Sequence, residues 1–172
     1  MQRLMQLIND LLNFSRYQNG LQKLTLGTCD VTDLLEHARA RFAEPANAQH
    51  IELLVEAQPE LPRLYADQVQ LERVLDNLLG NALRHTAEGG QIRLQARRHG
   101  ERVIISVEDN GEGIAYGQQG RIFEPFVQVG RKKGGAGLGL ALCKEIVQLH
   151  GGRMGVYSRP GQGTQFYMAL PL

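Results

Sequence analysis

Four short stretches of this chain combine residue types that can do chemistry. The first is Asp67–Thr86, where Asn77 and Asn81 stand four residues apart. At about 3.6 residues per turn they share one helix face with Gln70, Arg73 and Arg84. That face offers two neutral oxygen donors and a cation at neighbouring heights, although an ordinary polar helix surface has the same pattern. The second is Asp109-Asn110-Gly111-Glu112-Gly113-Ile114. A carboxylate at a strand end, followed by alternate glycines, can turn into a pocket while the backbone passes close to a ligand. A carboxylate is an acceptor and suits the exocyclic amine of adenine. The alternative is a common Asp-Asn-Gly turn.

The third is Gly134-Gly135-Ala136-Gly137-Leu138-Gly139-Leu140, which leads into a helix. Its glycines permit close approach to phosphates, and a helix N-terminus favours anions. It lacks the Gly-Lys-Ser/Thr ending of a P-loop and the strand and acidic residue of a dinucleotide fold. A flexible hinge is the alternative. The fourth joins Ile122-Phe123-Glu124-Pro125-Phe126-Val127 to Gly130-Arg131-Lys132-Lys133. It reads as a segment that closes over a nucleotide, or as a solvated loop, anchored in either case by two buried phenylalanines.

The elements that must position these residues follow from periodicity. Leu71, Leu75, Leu78, Leu79 and Ala82 give the Asp67–Thr86 helix its core face, with Asp67 and Gln70 as capping pair. Asp30 or Thr32 caps a second helix through about Ala48, and Gly137–His150 is a third. Met1–Tyr17 is amphipathic, with Leu4, Leu7, Ile8, Leu11 and Leu12 near heptad spacing, and reads as the end of a longer helical element. Strands are expected at Leu21–Thr28, Ile51–Ala57, Leu64–Ala66, Gln91–Arg98, Arg102–Glu108, Gly152–Ser158 and Thr164–Leu170. Irregular alternation of helices with mostly antiparallel strands predicts an α/β two-layer sandwich, a mixed sheet with helices on one face. Fourteen of the twenty glycines lie beyond residue 110, so ligand loops belong in the second half.

The chain has 172 residues, 42% of them hydrophobic, enough for one domain with a core. A net charge of +1 offers no footprint for nucleic acid. Cys29 and Cys143 sit among apolar residues and read as buried hydrophobes rather than a disulfide or metal pair, which fits a reducing cytosolic setting.

The order Asn77…Asn81, Asp109-x-Gly111-x-Gly113, Phe123…Phe126, Gly135-x-Gly137-Leu138-Gly139-Leu140, Gly161-x-Gly163-Thr164 resembles the ATP-binding catalytic domain of bacterial sensor histidine kinases. That family shares the Bergerat fold, a mostly antiparallel sheet covered by three helices, with gyrase B, heat-shock chaperone ATPases and MutL proteins. The resemblance spans residues 21–172. Residues 1–20, through Leu7–Arg16, resemble the C-terminal end of the dimerisation helix. It implies ATP and Mg²⁺ as ligands, with Asn81 binding the metal through its side-chain oxygen. Asn77 would sit beside the ion and phosphates, Arg84 would offset phosphate charge and His85 would line the site. Asp109 would read the adenine amine, with Gly111 and Gly113 in its loop. Gly137, Leu138, Gly139 and Leu140 would close the phosphate end, and Thr164 would support the base.

Two departures stand out. Gln128 occupies a place where many members have a lid cation, which Arg131, Lys132 or Lys133 could supply instead. None of His37, His50, His85, His99 and His150 is followed by the Glu-x-x-x-Pro pattern of the phosphoacceptor histidine. ATP-hydrolysing relatives carry a glutamate base where this chain has Asn77, and an amide cannot accept a proton at neutral pH. The expectation is therefore transfer of the γ-phosphoryl to a histidine of the parent's dimerisation domain, and onward to a response regulator receiver domain. The full-length protein would be a homodimer anchored in the inner membrane, with this part in the cytoplasm. A nucleotide-binding module without transfer activity, or an ATPase of the same superfamily, are the alternatives.

Overall fold

The computed structural model describes residues 2–127 and 137–172. Helix α1 (Gln2–Gln18) is followed by β1 (Gly27–Cys29), α2 (Val31–Ala48), β2 (Glu52–Ala57), β3 (Leu64–Ala66) and α3 (Gln68–His85). Then come β4 (Gln91–His99), β5 (Arg102–Asp109), the one-turn helix α4 (Tyr116–Gln119), α5 (Gly139–Leu149), β6 (Arg153–Arg159) and β7 (Gly163–Pro171).

The helix starts follow capping chemistry. The Asp30 carboxylate accepts from the Asp33 amide at 3.0 Å, and Asp67 accepts from the Gln70 amide at 3.2 Å. Helix α5 begins at Gly139 rather than at Gly137 as predicted, because Gly137 has φ +75° and cannot continue a right-handed helix.

Strands β2-β4-β5-β7-β6 form one five-stranded sheet, and β1 pairs with β3 in a separate two-stranded one. Among the described strands only β2 and β4 run parallel; that pair needs a crossover, which carries α3. Register sets Leu94 against Val107, Val107 against Phe166, and Phe166 against Val156. The next inward row is Ala96, Ile105, Met168 and Met154. These side chains face α2, α3 and α5, and Ile92, Leu94, Val103 and Met168 have no exposed surface. The opposite face is more polar and carries Arg93, Gln95, Glu108 and Gln165, with Tyr157 and Tyr167 stacked 5.4 Å apart. The expected two-layer sandwich with a mixed, mostly antiparallel sheet is the observed architecture.

The strand expected over Leu21–Thr28 is confined to Gly27–Cys29. Its partner β3 is only three residues long, and upstream the Thr25 amide donates to the Asp67 carboxylate at 2.8 Å instead of to a strand. Helix α1 packs on α5 and is pinned at its end, where the buried Tyr17 hydroxyl donates to Gln70 Oε1 at 2.6 Å. Leu4, Met5, Ile8, Leu11 and Leu12 remain exposed along it.

Candidate functional site

The site is built where the ends of α3, β5 and β7 meet the start of α5. Helix α3 turns Leu71, Leu75, Leu78 and Leu79 into the core, which leaves Asn77, Asn81 and Arg84 on a face that is not fully buried. Arg84 Nη2 donates to Asn81 Oδ1 at 3.2 Å. A Cβ on Gly139 would lie 3.4 Å from Asn77 Oδ1, which places the first turn of α5 against Asn77. Asn77 also hydrogen-bonds the Cys143 thiol, whose pKa complete burial pushes up to about 12. Among the described residues no side chain caps the start of helix α5, whose N-cap position is Leu138. A helix N-terminus of this kind favours an anion at that end.

His150 holds the other end of α5 to α3. Its Nδ1–H donates to the Ile146 carbonyl at 2.8 Å, which leaves Nε2 to accept from the Asp67 amide at 3.0 Å. Sequence periodicity treats His150 as a helix-end residue, and so it is, but its ring also joins two helices eighty-three positions apart.

Register brings the second group together. Asp109 lies between Ile92 and Thr164 on the helix-facing side of the sheet, at the strand end. It belongs to β5 itself; the strand was expected to stop one residue earlier. Its carboxylate is 6% exposed and accepts from the Gly111 amide at 2.9 Å and from the Thr164 amide. Burial raises its pKa above the usual carboxylate value; the two amides and nearby His85 oppose that rise. His85 Nδ1 is 2.8 Å from Glu112 Oε1, which ties the end of α3 to the Asp109 loop.

Glycine is required twice in this loop. A Cβ at Gly111 would overlap the His85 carbonyl oxygen, and one at Gly113 (φ +75°) would overlap the Arg159 carbonyl oxygen. The loop is thus wedged between α3 and the β6–β7 turn. Gly161 N–H also donates to the Glu112 carbonyl at 2.7 Å.

The structure therefore gathers Asn77, Asn81, Arg84 and Gly139 at one end, with Leu138 buried and Leu140 half-buried beside them. Asp109, Gly111, Gly113 and Thr164 lie at the other, and His85 connects the two. Gln70 and Arg73, grouped with the asparagines by helical spacing, belong elsewhere: Gln70 accepts from Tyr17 and from Arg73 at the α1 junction. Phe123 is half-buried and packs edge-on against Phe166, centroids 6.1 Å apart, whereas Phe126 is 65% exposed, so neither of the two phenylalanines expected to be buried is fully so. Gln128, Arg131, Lys132, Lys133, Gly134 and Gly135 lie outside the described residues. Cys143 is buried, as its apolar neighbours predict. The sequence assigns no site role to Glu112, although it lies within the Asp109 motif, or to Gln119 and Ser158, which hold the Asp109 loop by hydrogen bonds to Ile114 and which no local pattern marks.

The family described as histidine kinase-, DNA gyrase B-, and HSP90-like ATPase matches residues 66–172. The alginate biosynthesis sensor protein KinB of Pseudomonas aeruginosa is 68% identical over 172 residues, all of this chain and 29% of that protein. The sensor histidine kinase RppB of Synechocystis sp. is 37% identical over 174 residues, covering 99% of this chain and 38% of RppB. The chain thus spans well under half of either relative. Among solved structures, full-length ShkA in complex with AMPPNP superposes with a TM-score of 0.90 at 36% identity, covering 98% of this chain and 35% of ShkA. ThkA in complex with the response regulator protein TrrA gives 0.80 at 25% identity, covering 99% and 47%. With the matched region exceeding half its length, and with the sheet order and helix placement described above, the chain belongs to the histidine kinase-, DNA gyrase B- and HSP90-like ATPase family, as a catalytic domain of the sensor histidine kinase type.

Proposed function

We propose that this chain binds Mg²⁺·ATP between α3, α5 and the Asp109 loop and, within its parent protein, transfers the γ-phosphoryl to a histidine of the dimerisation domain. The observation that carries the reading is a buried acceptor, Asp109, at one end of the site and an amide, Asn77, against the first turn of α5 at the other. Asp109 accepts the adenine amine. Gly137 and Gly139 let the backbone approach the phosphates, and the first amides of α5 face their charge. Arg84 offsets that charge.

Asn81 is the residue that would hold the metal. Its oxygen is a hard donor already engaged by a cation, Arg84. Among the described residues no group of three His, Cys, Asp or Glu could hold a metal, which suits an ion that takes most of its ligands from phosphate and water. When bound, the metal would neutralise charge on the phosphate oxygens.

In the transfer step an imidazole nitrogen attacks the γ-phosphorus and the bond to the β,γ-bridging oxygen breaks, leaving ADP. Asn77 cannot take a proton from water, so hydrolysis has no base there. Helix α1 is read as the end of the dimerisation helix, its exposed Leu4–Leu12 stripe covered in the homodimer. A response regulator receiver domain takes the phosphoryl next, as the ThkA–TrrA complex suggests for a relative. The parent would be membrane-anchored, with this domain on the cytoplasmic side.

The test is to incubate residues 1–172 with γ-labelled ATP, Mg²⁺ and a separate dimerisation domain carrying the acceptor histidine. Labelled phosphohistidine is expected. ATP binding without label would leave a regulatory nucleotide module, and rapid hydrolysis with no acceptor present would favour an ATPase.

A further inference from the structure

Ser158 of β6 stands opposite Thr164 of β7, and Thr164 stands opposite Asp109 of β5. Three hydrogen bonds converge on the Ser158 hydroxyl. The Ile114 amide donates to Oγ at 2.7 Å, Oγ donates to the Gly163 carbonyl at 2.9 Å, and Thr164 Oγ1 lies 2.9 Å away. A serine hydroxyl has one proton and two lone pairs. The Gly163 carbonyl has no proton to give, so it receives the proton of Ser158. The Ile114 amide can only donate and fills one lone pair. Thr164 reaches the remaining lone pair only by donating. Oxygen positions alone leave the direction of the Ser158–Thr164 bond open; the other two bonds settle it.

The proton of Thr164 is therefore committed to Ser158. Only lone pairs are left on Thr164 for any other partner. The strand end beside Asp109 presents a carboxylate and a hydroxyl that both accept.

We infer that Ser158 is a specificity-determining positioning residue: by drawing the Thr164 proton it makes the base end of the site acceptor-only, so that a 6-amino purine is admitted and a 6-keto purine refused. The inference rests on the reading that Asp109 receives the nucleobase. Ser158 has a second effect that must be kept apart. With Gln119, whose Nε2 donates to the Ile114 and Ser158 carbonyls at 2.9 Å each, it also holds the Asp109–Ile114 loop in place. Loosening the loop weakens every base alike. Reversing the Thr164 hydroxyl changes the ratio between bases, because a freed hydroxyl can donate to a 6-keto oxygen.

The experiment is calorimetric titration with Mg²⁺·ADP and Mg²⁺·inosine diphosphate, on wild type, Ser158→Ala and Ser158→Thr. Wild type should prefer ADP. Ser158→Ala should shrink the ADP-to-inosine diphosphate preference by about tenfold, the worth of one hydrogen bond. Ser158→Thr keeps the hydroxyl and should keep the preference. Equal weakening of both ligands by Ser158→Ala, with the ratio unchanged, would overturn the inference and leave Ser158 as loop support. If circular dichroism shows Ser158→Ala unfolded, Thr164→Val is read instead: loss of the accepting hydroxyl should also shrink the ratio, and an unchanged ratio overturns the inference. Absence of binding of either diphosphate to wild type would overturn the nucleotide reading itself, and shows in the protein without any substitution.

Discussion

Asp109→Asn separates what the buried carboxylate does for a ligand from what it does to the fold. In the folded domain Asp109 accepts from the Gly111 amide at 2.9 Å and from the Thr164 amide. A carboxylate can serve both and still accept from a base amine, because it has two accepting oxygens. An asparagine has one. Its NH₂ must face either the Thr164 N–H or the base amine, and both are donors. The loss is one charge-assisted hydrogen bond, about 1.5–3 kcal/mol, so Mg²⁺·ADP affinity should fall about 10–150-fold.

The empty domain should respond differently. Burial raises the Asp109 pKa, so ionisation here opposes folding. With the folded pKa above the unfolded one, the stabilising contribution belongs to the protonated form. It is fully present below the unfolded pKa and lost as pH rises through the raised folded value. Asp109→Asn removes that component, and its amide–amide mismatch offsets part of the relief, so the neutral-pH melting temperature should move by no more than about 5 °C. Nucleotide binding runs the opposite way: it needs the carboxylate and should weaken on acidification at a higher pH than an exposed aspartate would dictate. Calorimetry across pH, with circular dichroism melts in parallel, measures both. Binding of ADP to Asp109→Asn within about threefold of wild type, with an intact melt, would refute the assignment of Asp109 to the base.

Asn81→Ala should abolish the difference between ADP titrations with Mg²⁺ and with chelator; a persisting Mg²⁺ enhancement would sink the metal assignment. Gly163→Ala should cost about 2 kcal/mol or more, seen as a melting point lower by about 5 °C, because Gly163 has φ +93° and a Cβ there would overlap the Asp109 carbonyl oxygen, backbone against backbone. Tyr17→Phe should lose about 1 kcal/mol with its 2.6 Å bond to Gln70. Burial raises the Tyr17 pKa from 10.0 to about 12, so the stabilisation it carries when neutral is lost between those values, and alkaline unfolding should be shallower in the variant. Ile8→Ser with Leu11→Ser, on the exposed stripe of α1, should lower the mass seen by light scattering if that stripe drives self-association.

Local signals placed most elements to within two residues. Asp30 and Asp67 before apolar-periodic runs are capping residues, and they cap α2 and α3. Alternation of Ile92, Leu94 and Ala96 with Arg93, Gln95 and Arg97 is that of a strand with one covered face. Reading failed where a neighbour decides. Leu21–Leu26 alternates like a strand, but β3 is too short to pair it. Phe126 is aromatic beside a proline, yet φ +67° turns it outward. Gln70 and Arg73 share the helical face of Asn77, and the packing of α1 draws them into another junction.

The sequence by itself determined the inventory: two amides one turn apart, a carboxylate before spaced glycines, a glycine run entering a helix, and their order. These are local properties, set by residue type and by periods of two or about 3.6. Which of these residues meet was decided only by the tertiary structure. Asp109 and Thr164 are neighbours because β5 and β7 pair in one register, and a slip of one residue would turn both to the opposite face. Asn77 lies against Gly139 and Cys143 because α5 packs on α3, with His150 joining their far ends. The direction of the Thr164 hydroxyl depends on Ser158, Ile114 and Gly163 together, three partners that no spacing in the chain brings to one point.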